Sequence, residues 1–276
     1  MIGGRSLIIK NENGLTFWQA EKFIETGLVA HGFSTREGGV SPAPYDSLNL
    51  GLYNDDSLVN MQENRKRFAY AVGVRPEQAV CGKQVHLTNI QVVGKEDCGK
   101  GYLEPDTAFP DTDALITNEK DVALVTCFAD CVPIMLLDPV AEAIGICHCG
   151  WRGTVERMAV KTVQAMEEHF NSQAKDILVV IGPSISMQHY EVDKQVLQRF
   201  RDAFTFAEQC ITMCDEEHGL LDLWQINKLQ LEEIGVKAEN IQISGLCTFE
   251  EQAQFFSHRA SGGQTGRNAG ILMLKE

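Results

Sequence analysis

The sequence predicts an α/β fold of the mixed-sheet α+β kind: one domain over residues 1–276, with mixed β-sheets flanked by helices. Three observations predict it. Of the 276 residues, 44% are hydrophobic, enough to bury a substantial core. Short β-rich runs and amphipathic stretches are interleaved without strict strand–helix–strand alternation. No Pro/Ser/Gly-rich linker, low-complexity run or internal repeat divides the chain.

Residues 7–10, 15–19 and 28–34 read as strands. Asn13-Gly14 is the turn between the first two, since Asn-Gly takes up the positive φ angles of a tight hairpin. The stretch 35–56 is rich in Gly, Ser, Pro and Asn; it is too long and polar for a plain connection and is expected to fold over something. Residues 59–72 read as a helix with Arg65 and Lys66 on its wetter face. From Ala79 the pattern turns to β, at 79–81, 85–93, 114–116, 122–127, 132–137 and 143–148. Residues 154–170 give the clearest helix: Val155, Met158, Ala159, Val163, Met166 and Phe170 recur at helical spacing, and Thr154 stands where an N-cap belongs. A strand at 177–181 ends on Gly182-Pro183. Helices follow at 193–204 and 222–234, the second closed by Gly235, and strands at 241–247 and 271–274 complete the set.

The formal charge is −14, from 24 basic and 38 acidic residues, with no Lys/Arg stripe to offset it. Such a chain is repelled by a phosphate backbone, which argues against a nucleic-acid partner; a small anion is compatible where a few arginines converge. The nine cysteines are odd in number and lack framework spacing, and residues 1–10 show no secretory pattern. A reduced, cytoplasmic protein is expected. The longest apolar run, 132–137, is interrupted by Pro133 and is too short to span a bilayer.

Chemistry concentrates in Cys147-His148-Cys149-Gly150-Trp151-Arg152-Gly153 and in Ala129-Asp130-Cys131. His148 and Cys131 stand near the ends of consecutive apolar segments, so neighbouring strands would bring them to one sheet edge. A thiolate facing an imidazole either binds a soft metal or acts as an activated nucleophile. Strand alternation turns Cys147 and Cys149 away from His148, which makes them core rather than ligands. His86, in Gln84-Val85-His86, begins another strand by this reading. With it the set becomes Cys/His/His drawn from three strands, and three N/S ligands with a fourth position open is how catalytic zinc is held. Gly38-Gly39 beside Arg36 and Ser41 reads either as an anion-binding nest or as a surface turn. The glycine-rich stretch 261–267 lacks the Lys-Ser/Thr of a P-loop and reads as a flexible loop able to bring Thr265 or Arg267 to a substrate.

His31-Gly32-Phe33-Ser34-Thr35-Arg36-Glu37-Gly38-Gly39-Val40-Ser41 resembles the opening motif of the YfiH/laccase-domain family. The resemblance continues through Ser47-Leu48-Asn49-Leu50-Gly51, Asn64-Arg65, Gln84-Val85-His86, Thr112-Asp113-Ala114 and Ala129-Asp130-Cys131-Val132-Pro133. It takes in His148-Cys149-Gly150-Trp151-Arg152-Gly153, Ile181-Gly182-Pro183-Ser184-Ile185, Phe255-Phe256-Ser257-His258-Arg259 and Thr265-Gly266-Arg267. One departure is Cys149, where the family usually carries alanine; alternation places it away from the ligands.

The resemblance implies a YfiH-like fold and a zinc site matching His86, Cys131 and His148. It implies purine nucleoside phosphorolysis, adenosine deamination and cleavage of S-methyl-5′-thioadenosine. Family members have also been described as copper polyphenol oxidases and as editors of peptidoglycan precursors. Under the nucleoside reading, Arg36 and Ser41 are candidates for phosphate, with Arg152 and Arg267 as alternates. Asn49 and Asp113 are candidates for ribose hydroxyls or purine nitrogens, and Asp130 for a proton carrier or an orienting group. Cys131 as a nucleophile with His148 as its base would instead give an amide hydrolase. A multicopper oxidase needs more than the seven histidines present. A closed structural zinc needs a fourth ligand that the sequence does not offer. Oligomeric state is not readable.

Overall fold

Alternation of apolar side chains builds two six-stranded sheets that pack face to face in this computed structural model, which describes residues 7–276. The first six residues, most of the stretch read above for a secretory pattern, lie outside the described residues. Strands and helices are numbered in chain order. The first sheet contains β1 (Leu7–Glu12), β2 (Leu15–Ala20), β3 (Val29–Ser34), β4 (Ala79–Cys81), β7 (Ala123–Phe128) and β15 (Asn268–Leu274), in the order β1-β2-β3-β15-β7-β4. The second contains β5 (Ile90–Val92), β6 (Ala114–Thr117), β8 (Val132–Asp138), β9 (Ala143–Cys149), β10 (Leu178–Ile181) and β14 (Ile241–Ile243), in the order β14-β10-β8-β9-β6-β5. Both are mixed: β4–β7, β5–β6 and β10–β14 are parallel, and the other pairs antiparallel. A small third sheet joins β11 (Glu191–Asp193), β13 (His218–Leu221) and β12 (Ile211–Met213).

Side-chain parity sorts the core into layers. Leu124 and Leu272 from the first sheet meet Met135, Leu137, Ile144 and Ile146 from the second. On the first sheet's outer face lies α2 (Leu58–Val72), which buries Phe68, Ala69 and Val72 against Val125 and Ile271. On the second sheet's outer face lie α4 (Met158–Phe170), α5 (Lys194–Ala203) and α6 (Leu223–Glu233), covering Val132, Ile134, Cys147 and Cys149. Asp193 and Asp222 cap α5 and α6, each accepting a backbone N–H from the first turn. The Asn13-Gly14 hairpin forms as expected, with φ of 52° and 78° and Glu12 opposite Leu15.

Four local expectations are corrected. The helix read at 154–170 is two helices, α3 (Trp151–Val155) and α4, separated at Arg157, which has φ 61°. Thr154 is therefore inside α3 rather than a cap; its hydroxyl donates to the Cys149 carbonyl. Of the strand read at 85–93 only β5 is extended, because the N–H groups of Val85, His86 and Leu87 bond to the Asp113 carboxylate instead of to a neighbouring strand. Arg65 is 1% exposed, not on a wet face. Its guanidinium donates to the carbonyls of Leu50, Gly101 and Tyr102 and lies 5.0 Å over the Tyr102 ring. The strand read at 241–247 stops at Ile243, before Gly245 turns the chain with φ 66°. The short α1 (Glu21–Thr26) and the small third sheet had no periodicity long enough to read. No helix among the described residues is long and apolar enough to cross a membrane.

Candidate active site

Cys131 and His148 come together because β8 and β9 are antiparallel neighbours with Pro133 opposite His148. Cys131 precedes the first residue of β8, and His148 is the penultimate residue of β9. Cys147 and Cys149 point the other way, into the helix-covered core, with their sulfurs 3.6 Å apart. His86 arrives on the loop after β4, at φ 63°. That loop is held by Asp113, immediately before β6, whose carboxylate accepts the N–H groups of Val85, His86 and Leu87 at 3.0 Å each. Oδ1 of the same carboxylate lies 3.0 Å from His148 Nδ1, which leaves His148 Nε2 for the cluster. Asp113 thus fixes one histidine by its ring and the other by its backbone.

The ligand atoms of His86, Cys131 and His148 all lie within 4.8 Å of one another. The two imidazoles meet edge to face, ring centroids 4.8 Å apart. A Cβ at Gly150 would stand 3.0 Å from Cys131 Sγ and 3.1 Å from the His86 ring, so glycine keeps this space clear. Two imidazole nitrogens and one sulfur suit a borderline-soft metal, with a carboxylate behind one histidine to fix its ring. The cluster can hold a metal ion.

Burial alone would raise the Cys131 thiol, but the charge on His148 and hydrogen bonds from both imidazoles overcome it and bring the thiol down to about 6. Burial alone would lower His148, yet the Cys131 sulfur and Asp113 push it up to about 10. Without metal the pair is accordingly a thiolate facing an imidazolium at neutral pH. Asp113 is lowered despite burial, chiefly by its hydrogen bond with His148 and that residue's charge.

The cluster opens into a cavity of about 500 Å³, lined among others by Tyr53, Trp151, Arg152, Tyr190, Arg259 and Arg267. Arg152 and Arg267 therefore reach the site. Arg152 stacks on the Trp151 ring at 4.5 Å, and Arg267 is steadied by the carbonyls of Thr265 and Gly266. Asp130 also lines the cavity, but both its oxygens are engaged: Thr248 Oγ1 donates to one at 2.7 Å and the Arg259 N–H to the other at 2.6 Å. The carboxylate thereby ties the segments at Thr248 and Arg259 to the start of β8. Asp113 lies behind the histidines rather than in the cavity.

Arg36, Ser41 and Asn49 lie outside the cavity lining. Arg36 bonds to the carbonyls of Asp46 and Gln252 and stacks on Phe256 at 4.6 Å. The Ser41 hydroxyl donates to Asp56 Oδ2 at 2.6 Å. Asn49 Oδ1 accepts the N–H groups of Gly51 and Arg267, so it shapes the cavity wall from behind. Tyr53, Gln84, Tyr190, His258 and Arg259 line the cavity without having been assigned a role from sequence. For His258 and Arg259 a signal existed, a His-Arg pair before a glycine-rich stretch; the two tyrosines carried none.

The family model described as multi-copper polyphenol oxidoreductase laccase matches residues 30–275. Purine nucleoside phosphorylase YlmD of Bacillus subtilis is 40% identical over 248 residues, covering 90% of this chain and 89% of that one. The crystal structure of YlmD from Geobacillus stearothermophilus superposes with a TM-score of 0.91 at 36% identity, covering 98% of this chain and all of that one. A Bacillus licheniformis hypothetical protein, YfiH, gives the same TM-score at 34% identity over 94% of this chain and 96% of its own.

Proposed function

The chain belongs to the laccase-domain family of YfiH and YlmD type, and from that premise we propose that it is a zinc-dependent purine nucleoside phosphorylase. The observation carrying this is one cavity in which a two-histidine, one-cysteine cluster and three arginines converge, in a chain of net charge −14. A concentration of cations in an acidic protein suits an anionic co-substrate, and relatives named purine nucleoside phosphorylases supply the reaction class. The substrates are adenosine, inosine and S-methyl-5′-thioadenosine, released as free base and ribose 1-phosphate or its methylthio analogue. Adenosine deamination is a second activity of the same cavity. Nine cysteines without a disulfide support a reducing, cytoplasmic setting.

Held by His86, Cys131 and His148, zinc supplies Lewis acidity in the cavity. The chain's own groups do the rest. Asp113 orients His148 and holds the His86 loop, while Asp130 fixes the segment at Arg259 against the start of β8. Arg152 and Arg267 take phosphate, since a guanidinium offers several donors in one plane. Tyr53, Trp151 and Tyr190 offer ring faces to a purine. Arg36, Ser41 and Asn49 support this wall rather than touch phosphate or ribose as the sequence suggests. The three-ligand cluster is the sole group of its kind among the described residues, which favours one metal over a set of coppers.

Purified protein given adenosine, with and without phosphate, tests this by mass spectrometry beside a Cys131→Ala control. Adenine and ribose 1-phosphate only with phosphate, inosine without it, and loss of both in the control are expected. No product from zinc-replete protein overturns the proposal. A second reading rests on one observation: Cys131, His148 and Asp113 line up as a thiolate, an imidazolium and its carboxylate. That reading makes the chain an amide hydrolase acting on peptidoglycan precursors, and it leaves His86 without a task. Full activity in metal-stripped protein would favour it.

A further inference from the structure

Breaking a purine nucleoside at C1′ leaves an electron pair on the departing base, and a proton delivered to N7 lets that base leave neutral. Among the cavity's groups few can deliver one. Arginine does not give up its proton. Both Asp130 oxygens are acceptors in existing bonds. His86, Cys131 and His148 form the metal cluster. The Tyr53 hydroxyl donates to the Pro105 carbonyl, and burial pushes the Tyr190 hydroxyl well up.

His258 is different. Its side chain is exposed yet lines the cavity, and its imidazole makes no hydrogen bond or ion pair among the described residues. Its backbone, by contrast, is fixed. The carbonyl accepts from Ser261 Oγ and the Gly263 N–H, and the next residue's N–H is clamped by Asp130 at 2.6 Å. Gly263, at φ 104°, comes close to the ring: a Cβ there would lie 3.4 Å from His258 Cε1. A fixed backbone brings this uncommitted imidazole to the cavity, where a bound base can meet it as a general acid.

We propose that His258 is the proton donor to the leaving purine, a role that rests on the phosphorolysis reading above. A phosphate oxygen bonds to C1′ while the C1′–N9 bond breaks and its electron pair passes into the base. One ring nitrogen of protonated His258 transfers its proton to N7, and the neutral imidazole then regains a proton from solvent. Asp130 is a positioning residue here, joining the Cys131 end of β8 to the segment that carries His258.

The test compares inosine with 7-methylinosine, whose N7 methyl already makes the base cationic so that it leaves without a proton. His258→Ala should lower kcat for inosine by about a hundredfold or more, with KM little changed, while 7-methylinosine loses less than about fivefold. Added imidazole should restore part of the inosine rate. His258→Gln, which keeps a polar side chain of similar reach, should stay as slow as the alanine variant. Zinc content and circular dichroism of both variants report whether cluster and fold persist. A loss on inosine below about threefold overturns the proposal, and so does an equal loss on both nucleosides with fold and zinc intact. Failure of the phosphorylase reading looks different: wild-type protein then makes no ribose 1-phosphate from either nucleoside.

Discussion

Two polar regions of this molecule attract notice for the same reason and differ in one respect. The loop before α2 gathers Ser41, Asn49, Asn54, Asp56 and Asn64, and nearly every donor there meets an acceptor within the cluster. Asp56 alone accepts from Ser41, Asn49, Ser57 and Asn60. Asn64 donates to Ser41 Oγ and to the carbonyls of Ser47 and Asn49. In the cavity, by contrast, the ligand atoms of His86, Cys131 and His148 gather within 4.8 Å of one another, and Arg152 and His258 have no carboxylate partner among the described ion pairs. A polar cluster whose hydrogen-bonding capacity is used up internally builds structure; one that leaves capacity directed into a cavity is equipped to bind.

The difference can be broken by substitution. Asp113→Asn should have the largest effect because it acts on both histidines. Metal affinity is expected to fall by about 10- to 100-fold in a competition titration, and stability by about 3 kcal/mol in urea unfolding. The sign with pH follows from its lowered value. Its contribution is fully present above the unfolded carboxylate value of about 3.9 and is lost as pH falls through the lower folded value. Acid unfolding of the Asn variant should accordingly lack that part of the pH dependence.

Ser41→Ala tests the other side. Removing the hydroxyl takes one donor from Asp56 and one acceptor from Asn64, both of which keep their other partners. About 2 kcal/mol of stability should go in the same unfolding assay, the lost bond to Asp56 being one to a charged group. Turnover of the folded variant should stay within about twofold of wild type, the effect of losing one hydrogen bond remote from the cavity being small. A large loss of turnover with the fold intact would erase the distinction between the regions. Arg152→Ala should have the smallest free-energy effect, a rise of about tenfold in phosphate KM, visible in initial rates, with nucleoside KM unchanged. Unaltered phosphate KM would move the anion site to Arg267 and Arg259.

Much of this is legible in the sequence. Alternation at Cys147-His148-Cys149 placed the cysteines in the core and turned His148 away from them, as β9 has them. The resemblance brought His86, Cys131 and His148 together, and they lie within 4.8 Å. Spacing could not reveal that His86 sits on a loop, since the anchoring carboxylate, Asp113, lies 27 residues further along the chain. Nor could it tell Arg36 from Arg152. Both stand in motifs beside glycines, and only the fold shows that Arg36 is consumed by the carbonyls of Asp46 and Gln252. Arg65 teaches the same lesson: helical periodicity measures hydrophobicity, not the carbonyls waiting to receive a buried guanidinium.

The central claim is that His86, Cys131 and His148 form one metal site. Calorimetric titration of metal-stripped protein with zinc tests it most directly. Wild type should bind one equivalent, and Cys131→Ala that remains folded by circular dichroism should show no saturable binding. Binding of one equivalent by that variant with unchanged affinity, or of several equivalents by wild type, would contradict it.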